Sequence, residues 1–268
     1  MSDFENFIWI GSQETFIDAP NIQRFHSISV GRFGGNSSAG QNKNEDGCLI
    51  WCNEKEDWEF MILLDAHHTS ESAQLILEVF QKEQIQIKDV LSEPIQDAFK
   101  KLEKRILQLF QSEEFLASCR MVTGETACLI VFRKGQYLWW FSVGDCVLYL
   151  FHEELAALGQ LEVNQRQFYE WIGRVNTFEQ QVPCYSRGVR ELREGENRIF
   201  LTTDGLLECP NKPYSNPTNI YNSFLNSDND KTNIMSMLEV IQNNGVKDST
   251  TIISWKVHNS MEAVRPSE

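Results

Sequence analysis

The chain has 268 residues, with 24 Lys+Arg against 38 Asp+Glu and a formal net charge of −14 at pH 7. A chain of this length buries roughly 70–75% of its unfolded surface as one large domain or two small ones, and 41% hydrophobic with 23% charged residues excludes a disordered chain, a fibre or a disulfide-built miniature. An acidic field also argues against a nucleic-acid partner, which needs clustered Lys/Arg.

In chain order, the N-terminus lacks the basic and long apolar stretches of a signal peptide. Runs rich in Ile, Val, Phe and Trp predict strands over 27–33, 47–52, 58–64, 126–132, 137–143, 147–151, 197–202 and 250–257. Helices are predicted over 70–83, with Ala73, Ile76, Leu77 and Phe80 on one stripe, and over 93–111, with Pro94 in the first turn. A third fits 232–242, and 164–172 reads as a shorter fourth. Sequential strands joined by tight turns, with helices grouped rather than alternating, imply α+β layering of antiparallel sheets. Neither a repeat nor a Pro/Gly/Ser-rich linker divides the sequence, so we expect one domain over 1–268, its motif-bearing part spanning 27–258. No window of about 18 residues is apolar enough to span a membrane.

Seven cysteines at irregular spacings, most with apolar neighbours, read as reduced packing residues of a cytoplasmic protein. The aromatics Tyr137, Trp139, Trp140, Phe141, Tyr149 and Phe151 read as strand core. His26, His152 and His258 lack a motif and are expected at the surface.

Chemistry concentrates where acidic residues border apolar runs: Asn44-Glu45-Asp46, Asp65-Ala66-His67-His68, Val143-Gly144-Asp145-Cys146, Thr203-Asp204-Gly205 and Asp248-Ser249-Thr250-Thr251. Any one of them alone is more often an Asx-turn or helix cap than a metal ligand. Together they place carboxylates at sheet edges, where several can converge, and convergent carboxylates stay ionised only with a cation among them. Oxygen donors suit Mg²⁺ or Mn²⁺, and two such ions about 3.5–4 Å apart lower the pKa of a water and aim it at phosphorus.

These segments, with Gly124-Glu125-Thr126-Ala127, resemble in their order the spaced motifs NED, DGH, GSTA, VGDSR, SDGL and DNxT of the PP2C-type metal-dependent Ser/Thr protein phosphatases, over most of the chain, roughly 30–257. The resemblance implies a four-layer αββα sandwich of two antiparallel sheets flanked by helices. It implies that Asp65 bridges two metals, that Asp204 and Asp248 hold the first, and that the Ala66 carbonyl with Glu45 or Asp46 through water holds the second. Neighbours in an extended segment face opposite ways, so Asp46 is favoured, with Glu45 in support. Asp145 with Asp204 would support a third metal, and His67 would protonate the leaving oxygen, as its ordinary pKa near 6.5 suits. The activity implied is hydrolysis of phosphoserine and phosphothreonine in proteins without a covalent intermediate, by a monomer.

The sequence departs from the family pattern at three places. Ala66 replaces a Gly and would be strained at positive φ. Gln41 stands where many members carry a phosphate-holding Arg, leaving Arg32, Lys43 and Arg187 as candidates, and Cys146 and Val147 replace Ser and Arg. His68, where the family has Gly, is expected to face solvent. Ala66 and Gln41 motivate an alternative, a pseudophosphatase that binds phosphoproteins as a regulatory module. A nucleotide-directed hydrolase is disfavoured by the charge and the lack of a Gly-rich phosphate loop. Residues 153–196 correspond to the family's flap, where Arg166, Phe168, Tyr169 and Trp171 lie near the expected mouth; a packed connecting helix is the other reading of this stretch.

Overall fold

The computed structural model describes residues 4–225 and 229–264. Among them the β-branched and aromatic runs form twelve strands: β1 Phe4–Ile10, β2 Asn21–Phe25, β3 Ile28–Phe33, β4 Gly47–Asn53, β5 Trp58–His67, β6 Glu125–Lys134, β7 Tyr137–Val143, β8 Val147–Phe151, β9 Ile172–Gly173, β10 Ser186–Glu191, β11 Gly195–Thr202 and β12 Thr250–Asn259. The helices are α1 Glu71–Lys82, α2 Gln84–Leu91, α3 Ile95–Phe110, α4 Glu113–Met121, α5 Glu153–Ala157, α6 Gly205–Glu208, α7 Pro217–Asn222 and α8 Asp230–Asn243. One sheet runs β1-β4-β5-β6-β7-β10 with β9 beside β6; the other runs β2-β3-β12-β11-β8. Every pairing is antiparallel.

Three apolar clusters make this a four-layer sandwich. Alternation along β4 sends Leu49 and Trp51 outward onto α1 and α3, where they meet Leu77, Phe80 and Ile106, and sends Cys48 and Ile50 inward to meet Leu148, Ile199, Ile253 and Trp255 of the second sheet. The outer face of that sheet packs Tyr149, Phe200 and Ile252 on Ile234, Met237 and Leu238 of α8. With both faces covered, β4 is buried throughout, which is why its sequence is nearly continuous in apolar residues. The α+β, αββα architecture expected from the sequence is the one observed.

Register explains where the acidic residues go. Gly47, just after Asp46, lies opposite Leu64, just before Asp65. Thr202, two residues before Asp204, lies opposite both Val147 and Ile252, which follow Asp145 and Asp248 closely. Five carboxylates therefore leave their strands at one end of the sandwich.

Several expectations are corrected. Residues 164–171 form a turn-rich connection, not a helix: the Asn164 side chain accepts from the Leu148 amide (2.7 Å) and donates to the Cys146 carbonyl (2.9 Å) and the Ser142 hydroxyl (3.1 Å). Those bonds hold an extended entry that a helical turn would break. His152 is buried rather than exposed, because its imidazole caps α5 at the Glu154 amide and meets the Glu194 carbonyl. Edge strands β1, β2 and β10 and helices α2 and α4 were not anticipated. No helix among the described residues is long and apolar enough to cross a membrane.

Candidate active site

Asp46 ties the two sheets together. It is fully buried, and one carboxylate oxygen accepts from the hydroxyls of Thr203 (3.3 Å) and Thr251 (2.7 Å), which stand at the ends of β11 and β12. Those threonines are themselves locked: the Thr251 amide donates to Thr203 Oγ1, and the Thr203 amide to the Thr251 carbonyl. Behind them Gly205 lets α6 press on the 248–250 turn, since a Cβ there would lie 2.2 Å from the Ser249 carbonyl oxygen. Asp46 Oδ1 has no partner.

Asp65, Asp145 and Asp204 bring carboxylate oxygens within 4.8 Å of one another, all three residues being buried. The Asp204 amide points at Asp65 Oδ2 (3.4 Å), while Oδ1 of both Asp145 and Asp204 is buried without a partner. Burial holds Asp65 well above the usual carboxylate range, reinforced by the charges of Asp204, Asp46, Asp248 and Asp145. Asp204 is pushed up to about 8 by burial and by Asp248 and Asp145, and Asp46 to about 7 by burial, against the Thr251 hydroxyl that lowers it. Asp145 is raised by burial too, opposed by Arg166 and His67, and Asp248, exposed at the rim, is raised by the desolvation its neighbours impose, opposed by His67. Buried polar atoms almost always find partners. Three orphaned oxygens in an all-oxygen, mutually repelling cluster fit hard divalent cations.

His67 ends β5 opposite Glu125. Its ring packs edge-on against Trp171, centroids 4.7 Å apart, and its Nδ1 is buried without a partner. Ala66 is part of β5 and carries no positive φ; the left-handed residue is His68 (φ 77°), exposed as expected. Gly124 makes room for this turn, because a Cβ there would meet the His67 carbonyl oxygen at 2.0 Å. Lys43 donates to the His68 carbonyl (2.6 Å) and pairs with Glu45, which is close enough to Asp248 to raise it.

The cation candidates separate cleanly. Arg32 is buried against Phe16, Trp9 and Phe7 and bonded to Asn21 and Gln23, and Arg187 pairs with Glu103 of α3 (2.9 Å); neither joins the cluster. Lys43 stands at its margin. The arginine that reaches it is Arg166, whose Nη2 lies 2.5 Å from Glu208, 3.6 Å from Asp145 and 3.9 Å from Asp204. Sequence reasoning put Arg166 near the mouth but gave it no role, and spacing along the chain holds no signal for the contact. A hollow of about 370 Å³ opens beside His68, lined also by Met121, Gly124, Glu125 and Arg174.

No family model and no curated protein matches the sequence. Solved structures match its fold. A bacterial serine phosphatase superposes with TM-score 0.63 at 14% identity, covering 87% of this chain and 98% of its own. The chain has the PP2C-type phosphatase fold. PppA, described as a key regulatory component of T6SS in Pseudomonas aeruginosa, gives 0.62 at 13% identity over 88% of this chain and all of PppA. RsbX, solved in complex with magnesium, gives 0.56 at 12% identity over 89% of this chain and all of RsbX. At such identities the likeness concerns the fold.

Proposed function

We propose that this chain is a single-domain, divalent-metal-dependent phosphomonoester hydrolase that removes phosphate from phosphoserine and phosphothreonine in proteins. The observation that carries this reading is the convergence of four buried carboxylates, Asp46, Asp65, Asp145 and Asp204, three of them with orphaned oxygens, with the exposed Asp248 at their rim and within reach of their charge. Asp65, Asp204, Asp248 and Asp46 would hold two Mg²⁺ or Mn²⁺ ions, with Asp145, Glu45 and the Ala66 carbonyl in support. Bound there, the cations would neutralise phosphoryl charge and make a water acidic enough to attack phosphorus.

The chain's own residues supply the rest. His67, its ring set by Trp171, delivers a proton to the leaving serine or threonine oxygen. Lys43 ties the His68 carbonyl and so fixes the turn that carries His67. Cys146 offers no thiolate nucleophile: it is fully buried, and burial with the Asp65 charge holds its thiol well above the ordinary range. Attack by water without a covalent intermediate fits that environment. The hollow beside His68 would receive the peptide that flanks the phosphoresidue, from a phosphoprotein met in the cytosol by a monomer; the free and mostly buried cysteines suit that compartment.

The binding-only alternative loses one motive, since Ala66 is unstrained, and keeps the other, Gln41 in place of an arginine. Hydrolysis of p-nitrophenyl phosphate and of a phosphothreonine peptide with Mn²⁺ tests the choice. We expect turnover that Asp204→Asn abolishes; capture of the phosphopeptide with no turnover and no saturable Mn²⁺ uptake would select the pseudophosphatase.

A further inference from the structure

Arg166 is held in place more firmly than a residue of a loose flap would be. Two residues before it, Asn164 is fixed by its three side-chain hydrogen bonds to Ser142, Cys146 and Leu148. One residue after it, the Gln167 amide donates to the Gly144 carbonyl (2.8 Å). Both anchors belong to the turn that presents Asp145, so the guanidinium is built onto the same local frame as the carboxylate it faces. Its guanidinium also lies 4.6 Å from the ring centroid of Phe168, and its side chain is only 20% exposed.

The contacts split each carboxylate in two. Nη2 of Arg166 faces Oδ2 of Asp145 and Oδ2 of Asp204, whereas Oδ1 of each residue has no partner. One guanidinium thus serves one flank of the cluster, and the orphaned oxygens remain for other cations. Around it the groups that face the flank are Glu208 from α6, Glu162 on the strand-like entry opposite Tyr149, and His67, whose charge also acts on Asp145. A delocalised, permanently charged group in that position does what a weakly held third dication would do, without leaving when the metal is dilute.

We propose that Arg166 is the chain's own cation at the Asp145–Asp204 flank, so that the centre takes up two divalent ions where the same carboxylates without Arg166 would take three. The assignment rests on the metal-centre reading above and specifies it. Arg166 is a positioning residue: it holds Asp145 and Asp204 through charge rather than touching the reacting atoms.

Titration calorimetry with Mn²⁺, on the full chain and on Arg166→Gln, decides the matter without an activity assay. Two ions per unchanged chain and one additional, weaker ion per variant are expected. Equal stoichiometry in the two proteins, or three ions in the unchanged chain, would overturn the role of Arg166 alone. No uptake by either would defeat the metal-centre reading itself. Melting in EDTA provides a second measurement: Arg166→Gln should melt below the parent, and Mn²⁺ should raise its Tm by more than it raises the parent's. A variant that folds only with Mn²⁺ present supports the assignment equally, and an equal Mn²⁺ shift in both proteins overturns it.

Discussion

The two ends of β5 both bury charge, and they do it in opposite ways. At the start of the strand, Arg133 of β6 reaches Glu59 in a paired grip (Nε to Oε2, 2.6 Å), the side chain of Asp57 and the Asp57 carbonyl (2.9 Å), and Trp255 adds a donor to Glu59. Six residues on, roughly 20 Å at a strand's rise, Asp65 meets four other carboxylates with Arg166 no closer than 3.6 Å to Asp145. The first set is satisfied and needs nothing from outside. The second is incomplete by itself. Buried charge that closes on itself holds a fold together, whereas buried charge left open marks where a ligand completes the structure.

Removing a charge at each end should therefore act with opposite sign on stability. Arg133→Ala strands a largely buried Glu59, its side chain 14% exposed, and is expected to cost about 3 kcal/mol, the low end for a broken buried pair, read as a large fall in urea midpoint with activity per folded molecule unchanged. Asp65→Asn relieves repulsion, so in EDTA its Tm should rise, while hydrolysis falls on the order of 10³-fold because several kcal/mol of charge stabilisation are lost. A fall in both Tm and activity would mean that the acidic end is as self-sufficient as the other. His67→Gln should leave Mn²⁺ uptake and Tm alone and lower turnover by about 10²-fold, the low end for a lost general acid. The deficit should shrink with p-nitrophenyl phosphate, whose leaving group needs no proton.

How much of this was legible follows from what each residue has to do. Strand cores such as 47–52 and 126–132 are buried on both faces, so composition alone reveals them. The strand-end carboxylates are legible because a repeated local pattern, an acid at the border of an apolar run, survives at five places. Edge strand β1 mixes exposed polar with buried apolar positions, and β10 buries none of its residues and exposes its one apolar side chain, Val189, which blurs period-2 patterning, and α4 is short with a charged first turn. The 164–172 error has a specific cause: Phe168, Trp171 and Ile172 fall at helical spacing, yet Trp171 goes to His67 and Ile172 pairs with Thr126 of β6. Arg166 acts through space on residues 21 and 38 positions away, and a spacing argument has no access to that.

The smallest expected effect is one of pH, and its sign separates the two ends. An unfolded aspartate titrates near 3.9, while Asp46 is held at about 7 and Asp204 at about 8 in the folded chain. Between about pH 4 and 8 the folded protein in EDTA retains protons that the unfolded chain has released, so stability falls as pH rises. This contribution is whole below about pH 4 and disappears as pH passes through 7 and 8. Mn²⁺ reverses the trend at this end, because cations replace the protons and bind better as the ligands ionise. The gap between Tm with Mn²⁺ and Tm with EDTA should then widen by several degrees from pH 6 to pH 9. Arg133, raised further by Glu59 and Asp57 against its burial, keeps its charge over that range, so Arg133→Ala should lower both curves in parallel without altering the gap. A flat EDTA curve from pH 5 to 8.5 would show the five carboxylates ionising independently, and the contrast between the two ends of β5 would disappear.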